Sequence, residues 1–301
     1  MSGAEHVWLI ANPTAGGGRG RECASRTADI LNAAGVLSVL IEPTSAEGTT
    51  EAAHEAVRSG AKVVLACGGD GTVHGVVQAL VDTDVALGII ACGSGDDIAL
   101  ALGFPSHDVE AAVDFATTAI AAGTTRVVDT GRATTADGTT RDFLAVLSTG
   151  FDSAVNERAN HMTRWGGQRY NVAMVRELAS FRPSHYELRL DDEIVSGEAM
   201  LVAVGNGATY GGGMRICPGA TLHDGLLDVT WLSAMSKPDF LRAFPSVFTG
   251  RHVSHRAVRT FRSRTLTISA ERQIAYADGE RVGPLPVSIE ARAGALRVLT
   301  G

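Results

Sequence analysis

The sequence predicts an α/β domain built on a parallel sheet, followed by a mainly β domain. Short apolar runs alternate with helical patterns through the first 125 residues, as expected for parallel strands joined by helical crossovers. From about Arg126, short β-type runs divided by turn residues replace this alternation, which favours a sandwich or barrel. A chain of 301 residues is long enough for two hydrophobic cores. We therefore predict two domains, residues 1–128 and 129–301.

Apolar spacing predicts the individual elements, with a period of two for strands and three to four for helices. In the first domain, strands are predicted at 7–11, 36–41, 63–67 and 85–90, and helices at about 22–34, 50–58, 73–80, 98–102 and 108–122. The remaining predicted strands are 127–132, 142–147, 186–190, 200–204, 227–232, 265–268 and 286–290, with helices over about 156–181 and 238–248.

Three of the first four strands end in glycine-rich loops. The loops read Asn12-Pro13-Thr14-Ala15-Gly16, Gly68-Gly69-Asp70-Gly71-Thr72 and Gly93-Ser94-Gly95-Asp96-Asp97. Because the carboxyl ends of parallel strands meet at one edge of a sheet, the loops should converge. Glycines let a backbone approach a ligand closely, and a helix N-terminus attracts phosphate. The Asp70 carboxylate would repel phosphate unless a cation lay between them, so the loops predict a metal–nucleotide site.

A dinucleotide-binding fold is the main rival interpretation of the first loop. Its G-x-G-x-x-G fingerprint should open the first strand–helix unit, but Gly16-Gly17-Gly18-Arg19-Gly20 lacks that spacing. Glu42 could imitate the acid that binds ribose, whereas Asp70 has no role in that fold. The three loops together therefore favour the phosphate site over this rival.

Composition restricts the class of protein. The net charge of −7 argues against a general nucleic-acid binder, and the chain has no uncharged apolar run long enough for a transmembrane helix. No basic region precedes the first apolar run, so we expect no signal peptide. Cys23, Cys67, Cys92 and Cys217 lack metal or disulfide spacing and are interpreted as reduced thiols. We expect a cytoplasmic protein.

Further motifs follow in the second half: Gly205-Asn206-Gly207, Asp224-Gly225-Leu226-Leu227-Asp228 and Asp278-Gly279-Glu280. Taken singly, the Asp-Gly pairs are hairpin turns. In order with the three glycine loops, these motifs resemble the bacterial diacylglycerol kinase and YegS-like lipid kinase family, which is related to sphingosine and ceramide kinases. The resemblance covers nearly the whole chain. It implies a three-layer α/β domain like that of NAD kinases and phosphofructokinases, followed by a β-sandwich domain.

The resemblance also implies an activity: phosphorylation of a lipid hydroxyl with ATP and Mg²⁺, in a cleft between the two domains. Glu280 would be the catalytic base, and Asp70 would meet the Mg²⁺ that bridges the phosphates. Asp224, with the backbone carbonyls of Thr221 and Leu226, would hold a second, structural Mg²⁺. The nucleotide would lie against Asn12, Pro13, Thr14, Ala15, Gly16, Thr44, Gly68, Gly69, Asp70, Gly71, Thr72, Gly93 and Ser94.

The chain departs from the family pattern at His74, Gly75, Ser94 and Asp96, although Ser94 keeps the hydroxyl of the usual Thr. His74 and Gly75 replace the usual Asn and Glu, and Asp96 replaces a neutral Asn with an anion near the phosphates. Two alternatives therefore stay open. One is a NAD-kinase-like or other small-molecule kinase, and the other is a non-catalytic nucleotide-binding regulator.

A lipid kinase must reach a substrate that lies in a bilayer. Residues 251–264 contain five arginines and no acid, and Trp165 lies between Arg164 and Arg169, near Met162 and Tyr170. Basic residues attract anionic lipid and aromatic residues favour the interface, so we expect transient contact with the inner membrane face. The alternative is that the arginines are solvated strand residues and Trp165 is a core residue. The sequence leaves the lipid and the oligomeric state open, a homodimer included.

Overall fold

The computed structural model describes residues 7–93, 95–106, 108–160, 173–174, 176–177 and 180–301. Ser94 lies outside the described residues, and so do Met162, Arg164, Trp165, Arg169 and Tyr170. The chain divides into two compact units. Unit 1 comprises Met1–Thr130 with Arg292–Gly301, and unit 2 comprises Gly131–Ala291.

Unit 1 is built on a parallel sheet in the order β4-β3-β1-β2. Its strands are β1 (Val7–Ala11), β2 (Ser38–Ile41), β3 (Val63–Gly68) and β4 (Ala86–Ala91). Every residue of β3 and β4 is buried, which explains why both strands read as continuous apolar runs. In the register, Cys67 lies opposite Ala11 of β1 and Ile90 of β4.

Helical segments follow these strands. They are a short turn α1 (Ala15–Gly18) and the helices α2 (Gly20–Ala33), α3 (Ala46–Arg58), α4 (Asp70–Leu80), α5 (Asp97–Ala101) and α6 (Val109–Ala122). Side chains cap two of them: Ser45 accepts the Gly48 N–H before α3, and Asp108 accepts the Ala111 N–H before α6. The sequence analysis placed Asp70 within the glycine turn, but in the structure α4 begins at Asp70, so this residue belongs to the helix.

Unit 2 consists mainly of antiparallel strands. They are β5 (Thr125–Thr135), β6 (Thr140–Phe143), β7 (Val146–Gly150), β8 (Ser184–Arg189), β9 (Ile194–Gly205), β10 (Leu227–Ser233), β11 (Val258–Ser263), β12 (Thr265–Ala270), β13 (Ile274–Ala277), β14 (Glu280–Pro284) and β15 (Val287–Leu299). The first residues of β5 and the last of β15 belong to unit 1. Trp231 belongs to the buried core, and its ring packs edge-on against the ring of Tyr186, with 6.2 Å between the ring centroids.

In the described part of unit 2, the helices include α7 (Phe151–Asn160) and α8 (Lys237–Ala243), and residues 173–174 and 176–177 are also helical. Two 3₁₀ helices follow α8 at Phe244–Thr249 and Arg251–Ser254. A small aromatic cluster joins them, since Phe151 contacts Phe240 edge-on at 5.1 Å. No helix in the described ranges is long and apolar enough to cross a membrane.

The parallel sheet and the antiparallel strands confirm the predicted fold class. Residues 161–172 of the predicted helix 156–181 lie outside the described residues, and two further predicted elements are divided in the structure. The predicted strand 142–147 is two strands, because the N–H groups of Leu144 and Ala145 turn to the Asp278 carboxylate, both at 2.9 Å. The predicted helix 238–248 keeps α-geometry only to Ala243 and continues as a 3₁₀ helix.

Candidate active site

The first glycine loop of unit 1 folds around the Asn12 side chain. Asn12 Oδ1 accepts hydrogen bonds from the Thr14 N–H at 2.9 Å and from the Thr14 hydroxyl at 2.8 Å. Gly16, Gly17 and Gly18 then adopt φ values of 59°, 75° and 101°, a region that residues with side chains rarely enter. A Cβ atom on Gly16 would lie 2.3 Å from the carbonyl oxygen of Cys92. The first loop therefore reaches the third only because residue 16 is glycine.

The second loop joins β3 to α4 through one residue, because β3 ends at Gly68 and α4 begins at Asp70. Gly69 is the N-cap of α4, and its Cα atom would lie 2.6 Å from a Cβ atom on Gly93. A Cβ atom on Gly68 would clash with Thr72 Oγ1 at 2.2 Å. Backbone of the second and third loops is therefore in direct contact, and the N-terminus of α4 lies at that contact.

The third loop is held by two aspartates. Asp96 is buried with φ at 55°, a left-handed conformation that Asp and Asn tolerate best among residues with side chains. Its Oδ1 atom accepts the Gly93 N–H at 3.0 Å. The backbone then enters α5, where the N–H groups of Ile98 and Asp97 donate to the Asp70 carboxylate at 3.0 and 3.3 Å. Asp70 thus links the second loop to the third.

Two carboxylates converge on Gly95. A Cβ atom there would lie 3.3 Å from Asp70 Oδ2 and 3.6 Å from Asp97 Oδ2. Asp97 is buried. The sequence analysis gave this residue no role in metal binding, although two successive aspartates, Asp96 and Asp97, before a predicted helix could have indicated one. Oxygen ligands of this kind suit Mg²⁺. The residues present therefore fit a hard divalent cation beside the glycine loops.

The other nucleotide-site residues lie at the same edge of the sheet. Pro13 and Ala15 belong to the first loop, Gly71 to the first turn of α4, and Thr44 to the exposed segment between β2 and α3. The close approaches of Gly16 to Cys92 and of Gly69 to Gly93 bring together the loops that follow β1, β3 and β4. Ser94 alone lies outside the described part of this site.

In unit 2, Glu280 is exposed and is the first residue of β14. The preceding turn joins β13 to β14 through Asp278 and Gly279, with φ values of 51° and 85°, as in a type I′ hairpin. The Asp278 carboxylate also accepts the N–H groups of Leu144, Ala145 and Val146, at 2.9, 2.9 and 3.2 Å. The Asp-Gly pair is thus a hairpin turn, and the hydrogen bonds to Asp278 fix the position of Glu280 at the start of β14.

The predicted second metal site contains an arginine. Asp224 Oδ1 accepts the Leu226 N–H at 3.1 Å, and its Oδ2 accepts a hydrogen bond from Arg262. Arg262 Nε also donates to Asp228 at 3.2 Å. Partial burial raises the pKa of Asp224, but hydrogen bonds from Thr221 and Leu226 and the charge of Arg262 outweigh it and lower the pKa overall. A Mg²⁺ ion bound through Asp224 would have to compete with this guanidinium.

Two family models match the chain. The model for the diacylglycerol kinase catalytic domain matches residues 6–133, and the model for the YegS C-terminal NAD kinase β-sandwich-like domain matches residues 145–300. A diacylglycerol kinase of Mycobacterium tuberculosis strain H37Rv is 39% identical, over 97% of this chain and 94% of its own. The chain belongs to the diacylglycerol kinase and YegS-like lipid kinase family.

Other relatives of this lipid kinase agree. A diacylglycerol kinase of Bacillus subtilis strain 168 is 27% identical over 92% of this chain and 90% of its own. A solved diacylglycerol kinase structure from Bacillus anthracis superposes with a TM-score of 0.73 at 20% identity, covering 100% of this chain and 98% of that one. An NAD kinase from Archaeoglobus fulgidus in complex with ATP gives 0.57 at 14% identity, with 98% and 93% covered. The fold and the lipid kinase family are confirmed, whereas the role of each site residue stays a prediction.

The structure gives a packing reason for one departure of this lipid kinase from the family pattern. A Cβ atom on Gly75 would lie 3.0 Å from the Thr49 side chain, and the Thr50 hydroxyl donates to the Gly75 carbonyl at 3.0 Å. Residue 75 is therefore glycine where α3 and α4 pack closely. His74 is buried on α4, and Gln78 donates to its backbone carbonyl at 3.0 Å.

Proposed function

We propose that this protein transfers the γ-phosphate of ATP to a lipid hydroxyl, with diacylglycerol as the first candidate acceptor. The convergence of three glycine loops and two carboxylates at one edge of a parallel sheet supports phosphate binding most directly. Relatives named diacylglycerol kinase support the lipid. The similarity to an NAD kinase, the first alternative from the sequence, extends only to the fold.

In this proposal the backbone of unit 1 binds the nucleotide phosphates. Gly16, Gly17 and Gly18 have positive φ values, which favour glycine. Because glycine has no side chain, this part of the first loop leaves room for a ligand. The N-terminus of α4, an 11-residue helix, adds the positive end of a helix dipole, which attracts phosphate. Close contact between Gly69 and Gly93 keeps the two loops in register.

Asp70 and Asp97 would hold the Mg²⁺ that accompanies the phosphates. When bound, Mg²⁺ neutralises charge that develops on the transferring phosphoryl group. Asp70 also accepts two N–H groups from the start of α5, so its carboxylate is oriented before any ligand arrives. Such pre-orientation reduces the reorganisation that catalysis would otherwise require.

Glu280 is the proposed general base. A bond forms between the lipid oxygen and the γ-phosphorus while the bond to the β-phosphate oxygen breaks; ADP leaves, and the hydroxyl proton passes to Glu280. A positioned carboxylate base contributes roughly 10²–10⁴ in rate. The Asp278-Gly279 turn, fixed by three backbone hydrogen bonds, determines the position of Glu280 in unit 2.

We also propose a cytoplasmic location with transient contact at the inner membrane face, and no nucleic-acid partner. The arginines of residues 251–264 support membrane contact because basic residues attract anionic lipid. Arg262 contributes less to that surface, since it pairs with Asp224 and Asp228. Arg251, Arg256, Arg259 and Arg264 are exposed.

The test is incubation of the purified protein with γ-labelled ATP, Mg²⁺ and a panel of lipids in mixed micelles, with NAD in a parallel reaction. We expect label in a lipid product and none in NAD. Label in NAD alone would favour the small-molecule kinase. ATP binding without transfer to any acceptor would favour the non-catalytic regulator.

A further inference from the structure

Three of the four cysteines meet at the base of the glycine loops. Cys23 lies in the first turn of α2, Cys67 is the last residue but one of β3, and Cys92 directly follows β4. Their sulfur atoms all lie within 4.8 Å of one another, and Cys23 Sγ is 3.2 Å from Cys67 Sγ. No spacing in the sequence indicated this cluster, because each thiol comes from a different element.

The geometry points to a binding site for a thiophilic cation, and we propose that Cys23, Cys67 and Cys92 bind one Zn²⁺ or Cu⁺ ion. Metal–thiolate bonds of about 2.3 Å place the sulfur atoms of one ion about 3.8–4.0 Å apart. The three sulfur atoms already satisfy this within about 1 Å, so binding needs side-chain adjustment and no rebuilding of the backbone.

The surroundings suit a soft metal. Thiolate ligands select Cu⁺ and Zn²⁺ over Mg²⁺, so this site would not compete with the carboxylates for the nucleotide's cation. Three thiolates complete a trigonal Cu⁺ complex, whereas Zn²⁺ would add a water as fourth ligand. Each thiol that binds releases its proton to solvent. Cys23 and Cys67 are buried, and half-buried Cys92 leaves a path for entry.

The backbone around the cluster belongs to the loops of the candidate active site. The Cys67 carbonyl accepts the Asn12 N–H at 3.0 Å, and the Cys92 N–H donates to the Gly68 carbonyl at 3.0 Å. The Cys92 carbonyl is the atom that a side chain on Gly16 would strike. A bound ion would therefore join the ends of β3 and β4 to α2 and stabilise all three loops together.

Cd²⁺ titration of the reduced protein tests the site, because cadmium thiolates give an ultraviolet charge-transfer band. We expect one Cd²⁺ per chain, and Zn²⁺ and Cu⁺ should each displace it in chelator-buffered competitions that rank the two ions. Cys23→Ser, Cys67→Ser and Cys92→Ser should each weaken binding at least tenfold. Cys217→Ser, which removes a buried thiol of unit 2, should match the parent.

A second measurement needs no variant. Alkylation followed by mass spectrometry should show that stoichiometric Zn²⁺ or Cu⁺ protects Cys92 while the labelling rate of Cys217 stays the same. A parent that gives no charge-transfer band and no protection of Cys92 would overturn the proposal, and so would a band that only Cys217→Ser removes. Neither readout uses ATP or a lipid, so the outcome is independent of the proposed function.

Discussion

Asp70 is the residue on which the proposed chemistry depends most. Asp70→Asn keeps the shape and an acceptor oxygen for the Ile98 N–H, loses the longer bond from the Asp97 N–H, and removes the charge that would hold Mg²⁺. We expect transfer to fall by at least about a hundredfold, with little change in melting temperature. Asp114→Asn makes the same change on an exposed position of α6 and serves as the control. Parental turnover of Asp70→Asn would remove Asp70 from metal binding.

Asp96 tests whether the unusual anion of the third loop weakens nucleotide binding. Its Oδ1 atom accepts the Gly93 N–H, and Asn offers the same oxygen and tolerates the same positive φ. Asp96→Asn should therefore keep the loop and bind ATP as tightly as the parent or tighter, measured by calorimetric titration. At least tenfold weaker binding, about 1.4 kcal/mol, would instead make Asp96 a cation ligand.

Among individual residues, those that lie together in one loop could be predicted from the sequence, whereas contacts between residues from different elements could not. The glycine loops were predicted because their residues are contiguous. Asp97 meets Asp70 across 27 residues of sequence, and Arg262 meets Asp224 across 38. Such contacts depend on strand register and helix position, which one sequence does not state.

The β13–β14 hairpin carries the prediction for the base. Glu280→Gln keeps size and hydrogen bonding but cannot accept the proton of the lipid hydroxyl. We expect turnover at saturating lipid to fall about a hundredfold or more, while ATP affinity changes no more than a few-fold. Glu290→Gln, an exposed change on β15, is the matched control. Near-parental turnover of Glu280→Gln would make Glu280 a solvated strand residue.

The proposed second Mg²⁺ site lies beside the paired strands β10 and β11, where Arg262 contacts Asp224. Arg262 and Mg²⁺ would compete for the Asp224 carboxylate, so Mg²⁺ should raise the melting temperature of Arg262→Ala more than that of the parent. Arg259→Ala removes the same charge from the same strand, where the guanidinium stacks on Phe261 at 4.8 Å, and should respond like the parent. Equal Mg²⁺ responses in all three proteins would exclude Asp224 as a ligand.

Strand prediction was most accurate where burial is complete and weakest where strands are short and partly exposed. The predicted strand 7–11 matches β1 residue for residue, and 63–67 differs from β3 only by Gly68. By contrast, β11, β13 and β14 were not predicted, and β13 is largely buried but has only four residues. β11 has one fully buried residue, and β14 likewise has one, so neither carries the apolar alternation that marks a half-buried strand.

For the whole molecule, the sequence predicted two domains, but it contained no signal for the path of the C-terminus. Residues 292–301 group with unit 1, where Arg297 pairs with Ala86 of β4 and the Gly294 N–H donates to Asp129 at 2.7 Å. The sequence predicts a strand only at 286–290, and it contains no signal that β15 continues to Leu299 and pairs with β4, because Arg297 and Ala86 are more than 200 residues apart in the chain.

The proposed transfer of phosphate to a lipid hydroxyl is measured by the initial rate at which label passes from γ-labelled ATP to diacylglycerol in mixed micelles with Mg²⁺. Triacylglycerol with the same acyl chains is the matched control, since it lacks the free hydroxyl. We expect labelled product from diacylglycerol, none from triacylglycerol, and at least about a hundredfold less with Asp70→Asn. ATP-saturated parent protein that labels neither diacylglycerol nor any other lipid alcohol would contradict the proposed transfer.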